Sequence, residues 1–344
     1  YICTAQQTFD PLSTMKTRLA IFIMTLMMLL AAPAYAQQSV KPRNGEGVDA
    51  FLKRNGRQPK KYKEAFFELN KGKLGKGNTL LLGVAYKIPP AEAARPAYID
   101  EPLFGKGRSH VKVKSHELDG ACFYIVSGHG GPDPGAIGKA SGHELHEDEY
   151  AYDIALRLAR NLMERGAKVH IIIQDAKDGI RDSRYLPTSK RETCMGKTIP
   201  LDQTARLKQR SDKINSLYRD DKSDYGYCRA AFIHIDSRSK KKQMDVFFYY
   251  QQSNASLSRP LAETLRSTFE AKYRQHQPGR GFSGTVSTRG LYVLRHTDVP
   301  SVYFELGNLQ NVNDQRRFVL SDNRQALANW ITEAFVKDYA KHKD

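Results

Sequence analysis

The chain has 344 residues, enough for one large domain or for a medium domain with a small one beside it. Its formal net charge of +17 favours an anionic partner such as nucleic acid, a membrane surface or an acidic polymer. The cysteines form no CxxC pair, which argues against a zinc site made of cysteines. Cys122 is predicted to be a buried apolar residue, whereas Cys194 and Cys228 either pair in an oxidising compartment or stay separate.

The N-terminal segment has the pattern of an export signal. Met15-Lys16-Thr17-Arg18 supplies positive charge, residues 19–30 are almost wholly apolar, and Ala34-Tyr35-Ala36 is a small-x-small cleavage motif. The apolar run is short for a membrane span. We therefore expect residues 15–36 to be a signal peptide and residues 1–14 to be an upstream translation artefact. The mature protein would act in the periplasm, the cell wall or the medium, without a membrane anchor. Export makes nucleic acid a poor partner and a wall polymer a good one.

Residues 40–89 are predicted to form a small α+β unit. Its apolar patterns predict two helices and a closing strand, at residues 48–55, 62–70 and 80–89. This order, together with Gly45-Glu46-Gly47-Val48 and Phe67-Glu68-Leu69-Asn70, resembles a LysM module, which binds wall glycan. A small packing unit with no binding function is the alternative. Residues 90–117, rich in proline and alanine at their start, are interpreted as a linker.

Strand and helix patterns alternate in the second domain, residues 118–342. Strands are predicted at 121–127, 168–173, 230–235, 244–250, 291–295 and 301–306. Helices are predicted at 148–165, 204–219, 257–275 and 322–341. This alternation predicts an α/β fold, with a twisted, mostly parallel sheet that helices cover on both faces.

A glycine-rich loop at residues 126–138 organises this domain. An apolar strand runs straight into the loop, and its glycines leave room for a ligand beside His129. A lone histidine in such a place is more often structural, but His234 and Glu305 also end apolar strands, where each needs a partner or a function. Ligands gather beyond the carboxyl ends of strands in α/β sheets. With Glu147 at a helix start, the two histidines give the His2Glu set of a catalytic zinc, which leaves a position for water.

These segments resemble the zinc-dependent N-acetylmuramoyl-L-alanine amidases of the Amidase_3 type. The resemblance covers residues 120–341 and rests on Glu147, GHGGPDPGAIG at 128–138, FIHID at 232–236 and PSVYFELGNLQN at 300–311. It implies that one zinc ion is bound by His129, Glu147 and His234, and that Glu305 is the general base. Three further residues are candidates for substrate binding: Arg210, Asp236 and Asn308. After the second histidine the family usually has a small residue and then Asn or Asp, whereas this chain has Ile235 and Asp236. The bulkier Ile235 would narrow the site without removing a ligand.

The resemblance implies hydrolysis of the amide between the lactyl group of N-acetylmuramic acid and L-alanine, with peptidoglycan as the partner. A zinc peptidase that cuts within the stem peptide, and a wall-binding or regulatory protein without activity, are the alternatives. We expect a monomer with an open site and no activator, because a predicted strand and helix occupy much of the chain between His234 and Glu305. An insertion at 175–205 is either a rim over the cleft or a loop with no role.

Overall fold

The computed structural model describes residues 39–90, 98–236 and 243–343, and the elements are numbered in chain order within those ranges. The expected signal peptide and the segment before it lie outside the described residues. None of the described helices has the length and apolar character that crossing a bilayer requires.

The N-terminal unit has the order strand, helix, helix, strand. Its elements are β1 (Ser39–Val40), α1 (Val48–Arg54), α2 (Pro59–Leu69) and β2 (Tyr86–Lys87). The two strands pair antiparallel, and Phe51, Leu52 and Phe66 lie in a small core under them. The predicted strand at 80–89 is wrong except for β2, because Gly83 turns the chain with a φ of +84° just before it. Whether the unit is a LysM module stays a prediction.

Part of the segment interpreted as a linker packs on the larger domain. It contains β3 (Tyr98–Asp100) and β4 (His110–Lys112), which pair antiparallel around a short 3-10 turn. Phe104 and Val111 from this segment are fully buried in the main core. The N-terminal unit also contacts the larger domain, since Arg54 Nη1 donates a hydrogen bond to the carbonyl of Lys343 at 2.6 Å.

A six-stranded sheet forms the centre of the larger domain. The strands of this domain are β5 (Ala121–Ser127), β6 (Ile137–Ala140), β7 (His143–His146), β8 (Lys168–Ile171), β9 (Ile173–Gln174), β10 (Thr193–Cys194), β11 (Lys197–Thr198), β12 (Tyr227–Asp236), β13 (Phe247–Tyr250), β14 (Thr285–Thr288) and β15 (Ser301–Asn308). The central sheet has the order β14-β13-β15-β12-β5-β8. The run from β15 to β8 is parallel, whereas β13 is antiparallel to β15. An α/β fold is confirmed, with a sheet that is mixed.

Helices cover both faces of this sheet. They are α3 (Glu147–Met163), α4 (Gln203–Asp221), α5 (Ala255–His276), α6 (Tyr292–Arg295), α7 (Val312–Val319) and α8 (Ser321–Lys343). Side chains of a strand alternate between its faces, so β5 buries Phe123 and Ile125 in the core that contains α3, α5 and α8. Tyr124 and Val126 point to the other face, towards α4 and α6. The sheet is therefore buried on both sides.

The strand predicted at 291–295 is wrong, because these residues form the short helix α6. The apolar run Tyr292-Val293-Leu294 is too short for periodicity to separate strand from helix. Val293 and Leu294 are both buried, which neighbouring residues of a helix allow but an alternating strand does not favour. The true edge strand, β14, is mostly exposed and so lacked an apolar signal.

Cys122, Cys194 and Cys228 are all buried and free of disulfides in the described part of the chain. The pairing alternative for Cys194 and Cys228 is therefore not realised. Cys228 on β12 instead lies beside Cys122 on β5, as its partner in the parallel register.

Candidate metal centre

His129 lies just beyond the carboxyl end of β5, in the glycine-rich loop. Its φ of +58° is in the left-handed region, which turns the chain sharply after the strand. Its Nδ1 is 2.9 Å from Asp133 Oδ2, and its Nε2 is 3.2 Å from Glu147 Oε2. Burial alone lowers the pKa of His129, but the carboxylates of Glu147 and Asp133 raise it to about 10. The loop therefore presents His129 Nε2 in a strongly negative field.

Glu147 is the first residue of α3, and its carboxylate is almost completely buried. Oε2 accepts a hydrogen bond from the N–H of Ala136 at 2.9 Å, and Oε1 accepts one from the N–H of Ile235 at 2.9 Å. Burial alone raises the pKa of Glu147, but His129 and the hydrogen bonds from both histidines hold it below its ordinary value. The carboxylate is thus ionised, fixed in place and shared between the two histidines.

His234 lies near the carboxyl end of β12, next to β5. Its Nδ1 is 3.0 Å from Glu147 Oε1, and its ring stacks on Tyr303 with centroids 4.3 Å apart. Burial, helped by the charge of His129, lowers the pKa of His234 to about 4. The ring is therefore neutral, which is the form of histidine that binds metals.

Two glycines of the loop make this close approach possible. A Cβ on Gly128 would overlap the ring of His234. A Cβ on Gly135 would lie 2.6 Å from His129 Cδ2 and 2.7 Å from Glu147 Oε2. Gly135 also has a φ of +68°, where other residues are strained. The loop sequence is therefore explained by the packing of the cluster.

The donor set and its spacing fit a zinc ion. One ligand atom each from His129, Glu147 and His234 lies within 4.8 Å of the other two. Zinc bonds of about 2.1 Å in a tetrahedron place ligand atoms about 3.4 Å apart. The two nitrogen–oxygen distances of 3.2 and 3.0 Å are close to that value. These three residues could hold a Zn²⁺ ion and leave a position for water.

Glu305 lies on β15, directly beside His234 in the parallel register. Its side chain is mostly buried, and it borders a cleft of about 450 Å³ that His129, Glu147 and His234 also line. The structure thus brings all four residues of the predicted constellation to one edge of the sheet, as expected for the carboxyl ends of strands.

The three residues predicted to bind substrate have different surroundings. Arg210 is buried behind the loop, where Nη2 donates to the carbonyl of His129, and burial lowers its pKa to about 10. Asp236 borders the 450 Å³ cleft. Asn308 is fully buried, and its Oδ1 accepts a hydrogen bond from the N–H of Gln310 at 3.0 Å. Substrate binding by these residues stays a prediction.

Sequence reasoning gave no role to Asp133, Arg206 and Tyr303, which support the cluster. Asp133 Oδ2 accepts a hydrogen bond from His129 and another from Arg206 Nη2 at 2.8 Å. Such a carboxylate fixes the tautomer and the orientation of a metal-binding histidine. The position of Asp133, four residues after His129, is the feature of the sequence that could have indicated this contact. Tyr303 is two residues before Glu305, on the same face of β15.

The insertion at 175–205 is attached to the cluster. It contributes β10 and β11 to a small sheet with β9. Glu192 Oε2 accepts a hydrogen bond from the N–H of Gly131 at 2.8 Å, and Arg181 Nη1 binds Glu149 Oε2 at 2.8 Å. The insertion therefore supports both the glycine-rich loop and the start of α3.

A family model described as N-acetylmuramoyl-L-alanine amidase, Amidase_3, matches residues 124–337. The chain is similar to the germination-specific N-acetylmuramoyl-L-alanine amidase of Bacillus subtilis, with 24% identity over 236 residues, 68% of this chain and 86% of the relative. It is also similar to the probable cell wall amidase LytH of Staphylococcus aureus, with 26% identity over 225 residues. That match covers 64% of this chain and 59% of LytH.

Similar solved structures include the CwlD amidase of Clostridioides difficile, in complex with the GerS lipoprotein. It has 20% identity and a TM-score of 0.48, over 64% of this chain and 98% of that chain. The amidase Ami1 of Mycobacterium smegmatis has 17% identity and a TM-score of 0.46, over 65% of this chain and 99% of that chain.

Proposed function

The chain belongs to the N-acetylmuramoyl-L-alanine amidase family, and we propose that it is an exported zinc enzyme that hydrolyses peptidoglycan. The scissile bond would be the amide between the lactyl group of N-acetylmuramic acid and L-alanine of the stem peptide. The observation that carries the proposal is the meeting of His129, Glu147, His234 and Glu305 in one cleft. The names of the similar curated proteins support a wall substrate.

His129 Nε2, Glu147 and His234 Nδ1 would hold the metal. When bound, Zn²⁺ lowers the pKa of a water ligand towards ~7 and polarises a carbonyl group. With the metal bound, Asp133 would keep a proton on His129 Nδ1, and Nε2 would give up its proton and bind the metal. The Tyr303 ring holds the imidazole of His234 in its plane. These contacts orient the donors before substrate arrives, which reduces the cost of assembling the site.

Glu305 would act as the general base. Its carboxylate borders the same cleft as the metal-binding residues, and it lies beside His234 on the neighbouring strand. From there it would accept a proton from the attacking water and deliver it to the amine of the leaving L-alanine. General acid–base transfer of this kind contributes about 10²–10⁴-fold to rate.

The rest of the chain would bring this site to the wall. The +17 charge favours approach to a polyanionic polymer that bears stem-peptide carboxylates. The N-terminal LysM-like unit would bind glycan and raise the local concentration of substrate. The side chain of His129 is 26% exposed, so the cleft is open to solvent, and we propose an enzyme that works without an activator. A second protein that is needed for activity would contradict this point. We also propose that the enzyme is a monomer.

The test is mass spectrometry of purified peptidoglycan digested by the protein. Parallel digests use Glu305→Ala and a chelator-treated sample. Free stem peptides with an L-alanine N-terminus, lost in both parallel digests, are the expected result. Shortened stems that remain on muramic acid would instead identify a peptidase. Zinc-loaded protein that releases no product would favour a wall-binding or regulatory role.

A further inference from the structure

A second cluster of metal-ligating side chains lies at the opposite end of the sheet. Cys122 is near the start of β5, His170 is on β8, and Asp221 is the last residue of α4. One ligand atom from each lies within 4.8 Å of the other two. Since a strand rises about 3.3 Å per residue, positions 122 and 129 are roughly 20 Å apart along β5. This cluster is therefore separate from the catalytic cleft.

Three donors converge on a single oxygen of Asp221. Oδ2 lies 2.8 Å from His170 Nε2, 2.9 Å from the hydroxyl of Tyr124 and 3.6 Å from Cys122 Sγ. A carboxylate oxygen has two lone-pair sites, so three donors exceed what it accepts well. A cation bound between Cys122 Sγ, His170 Nε2 and Asp221 Oδ2 would give these three atoms a common partner. The same inward crowding occurs around Glu147, where the two histidines meet its carboxylate.

A second sulfur lies next to the first. Cys228 on β12 is paired in register with Cys122, so the two side chains point to the same face of neighbouring strands. A thiol binds a metal as the thiolate, so the proton of Cys122 would pass to solvent as the cation enters.

Solvent does not reach the cluster from the side of the two cysteines, but it does from the side of His170 and Asp221. Cys122 and Cys228 are buried, whereas the side chains of His170 and Asp221 are 13% and 14% exposed. A cation can therefore enter past the imidazole and the carboxylate. Its contacts would then fasten the end of α4 to two strands of the sheet, β5 and β8.

We propose that Cys122, His170 and Asp221 form a structural site for a Zn²⁺-type cation, with Cys228 beside it on the neighbouring strand. Thiolate, imidazole and carboxylate are all zinc ligands. The soft sulfur donor disfavours Mg²⁺ and Ca²⁺. No CxxC spacing indicates this site in the sequence, because its ligands come from three separate elements. The other end of α4 carries Arg206 and Arg210 to the catalytic cleft, so the site would also steady that helix.

The test uses cobalt, because only a sulfur ligand gives thiolate-to-cobalt charge-transfer absorption in the near ultraviolet. The full chain is purified reduced, stripped of metal and titrated with Co²⁺. We expect the wild type to show this absorption and Cys122→Ser to lose it. Cys194→Ser is the matched control, since Cys194 is equally buried but lies on β10, and it should keep the absorption. The catalytic cluster contains no sulfur and stays silent in this measurement.

A second measurement covers the case in which Cys122→Ser does not fold. His234→Ala removes a catalytic ligand but should still bind one equivalent of Zn²⁺ and melt at a higher temperature with it. Adding His170→Gln to that variant should abolish both effects. Reduced wild type without thiolate absorption would overturn the proposal. So would a Cys122–Cys228 disulfide in protein purified from an oxidising compartment, because the sulfurs would then be unable to bind a metal.

Discussion

The two ends of the parallel strands carry clusters of similar chemistry in different surroundings. At the carboxyl end, His129, Glu147 and His234 border a 450 Å³ cleft and leave a position open. At the amino end, Cys122 and Cys228 close one side of the cluster with buried sulfur. Open sites suit catalysis and closed sites suit structure. On the two proposals, the same sheet supplies metal ligands for catalysis at the carboxyl ends of its strands and for structure at their amino ends.

Among the substitutions considered, His234→Ala, at the carboxyl end of the strands, should reduce amide hydrolysis the most. Loss of this ligand removes the metal and leaves the buried Glu147 carboxylate without one of its partners. Because metal activation supplies several kcal/mol, amide hydrolysis should fall by about 10³-fold or more. The check is a peptidoglycan digest together with metal analysis. If the thiolate absorption at the amino end also vanished, the two ends would not be independent.

Glu305→Gln should have the next largest effect. The amide keeps the size of the side chain but does not accept a proton, so kcat should fall by about 10²–10⁴-fold. Zinc content and melting temperature should match the wild type, because Glu305 is not a predicted ligand. Steady-state kinetics on soluble muropeptide measures this. Loss of zinc in this variant would instead assign Glu305 to the metal.

Asp133→Asn should have a smaller effect at the same end. It weakens the hold on His129 Nδ1, and losing such a partner typically costs about 10–100-fold in metal affinity or activity. Zinc titration with a competing chelator measures the affinity. Asp212→Asn is the control, since Asp212 is exposed and pairs with the exposed Lys208 on the outside of α4. Equal losses in both variants would contradict a specific role for Asp133.

Tyr124→Phe, at the amino end, should have the smallest effect on activity. It removes one of three donors to Asp221 Oδ2, a partly buried hydrogen bond, and should lower the stability of the metal-free protein by about 0.5–1.5 kcal/mol. The value of kcat should stay unchanged, because the residue is far from the cleft. Chemical denaturation measures the stability, with the exposed Tyr98→Phe as control. A large fall in kcat would show that the two ends are coupled.

The candidate metal cluster could be predicted because polar residues interrupt apolar strands. His234 and Glu305 each lie inside an apolar run. Gly128, Gly135 and the glycines near them predict a loop that binds a ligand. The helix around Ile154 was equally clear, since its apolar residues repeat at helical spacing. The acidic residues Glu147, Asp148 and Glu149 indicate where this helix starts, because negative side chains are favoured in the first turn of a helix.

The remaining features depend on contacts that no local pattern contains. Asp133 meets Arg206 only after α4 packs beside the loop. Cys122 was interpreted as a buried apolar residue, because its meeting with His170 and Asp221 requires two strands and a helix end to come together. The helix α6 was mistaken for a strand because a short apolar run fits either structure.

Gly128 offers a way to judge a sequence without a structure. Any side chain at that position would occupy the space of the His234 ring, even though residue 128 is itself buried. A relative could therefore keep both histidines and both glutamates and still be a pseudoenzyme if it has lost this glycine. When genomes are surveyed for active members, an alanine here should count as heavily against activity as a missing ligand.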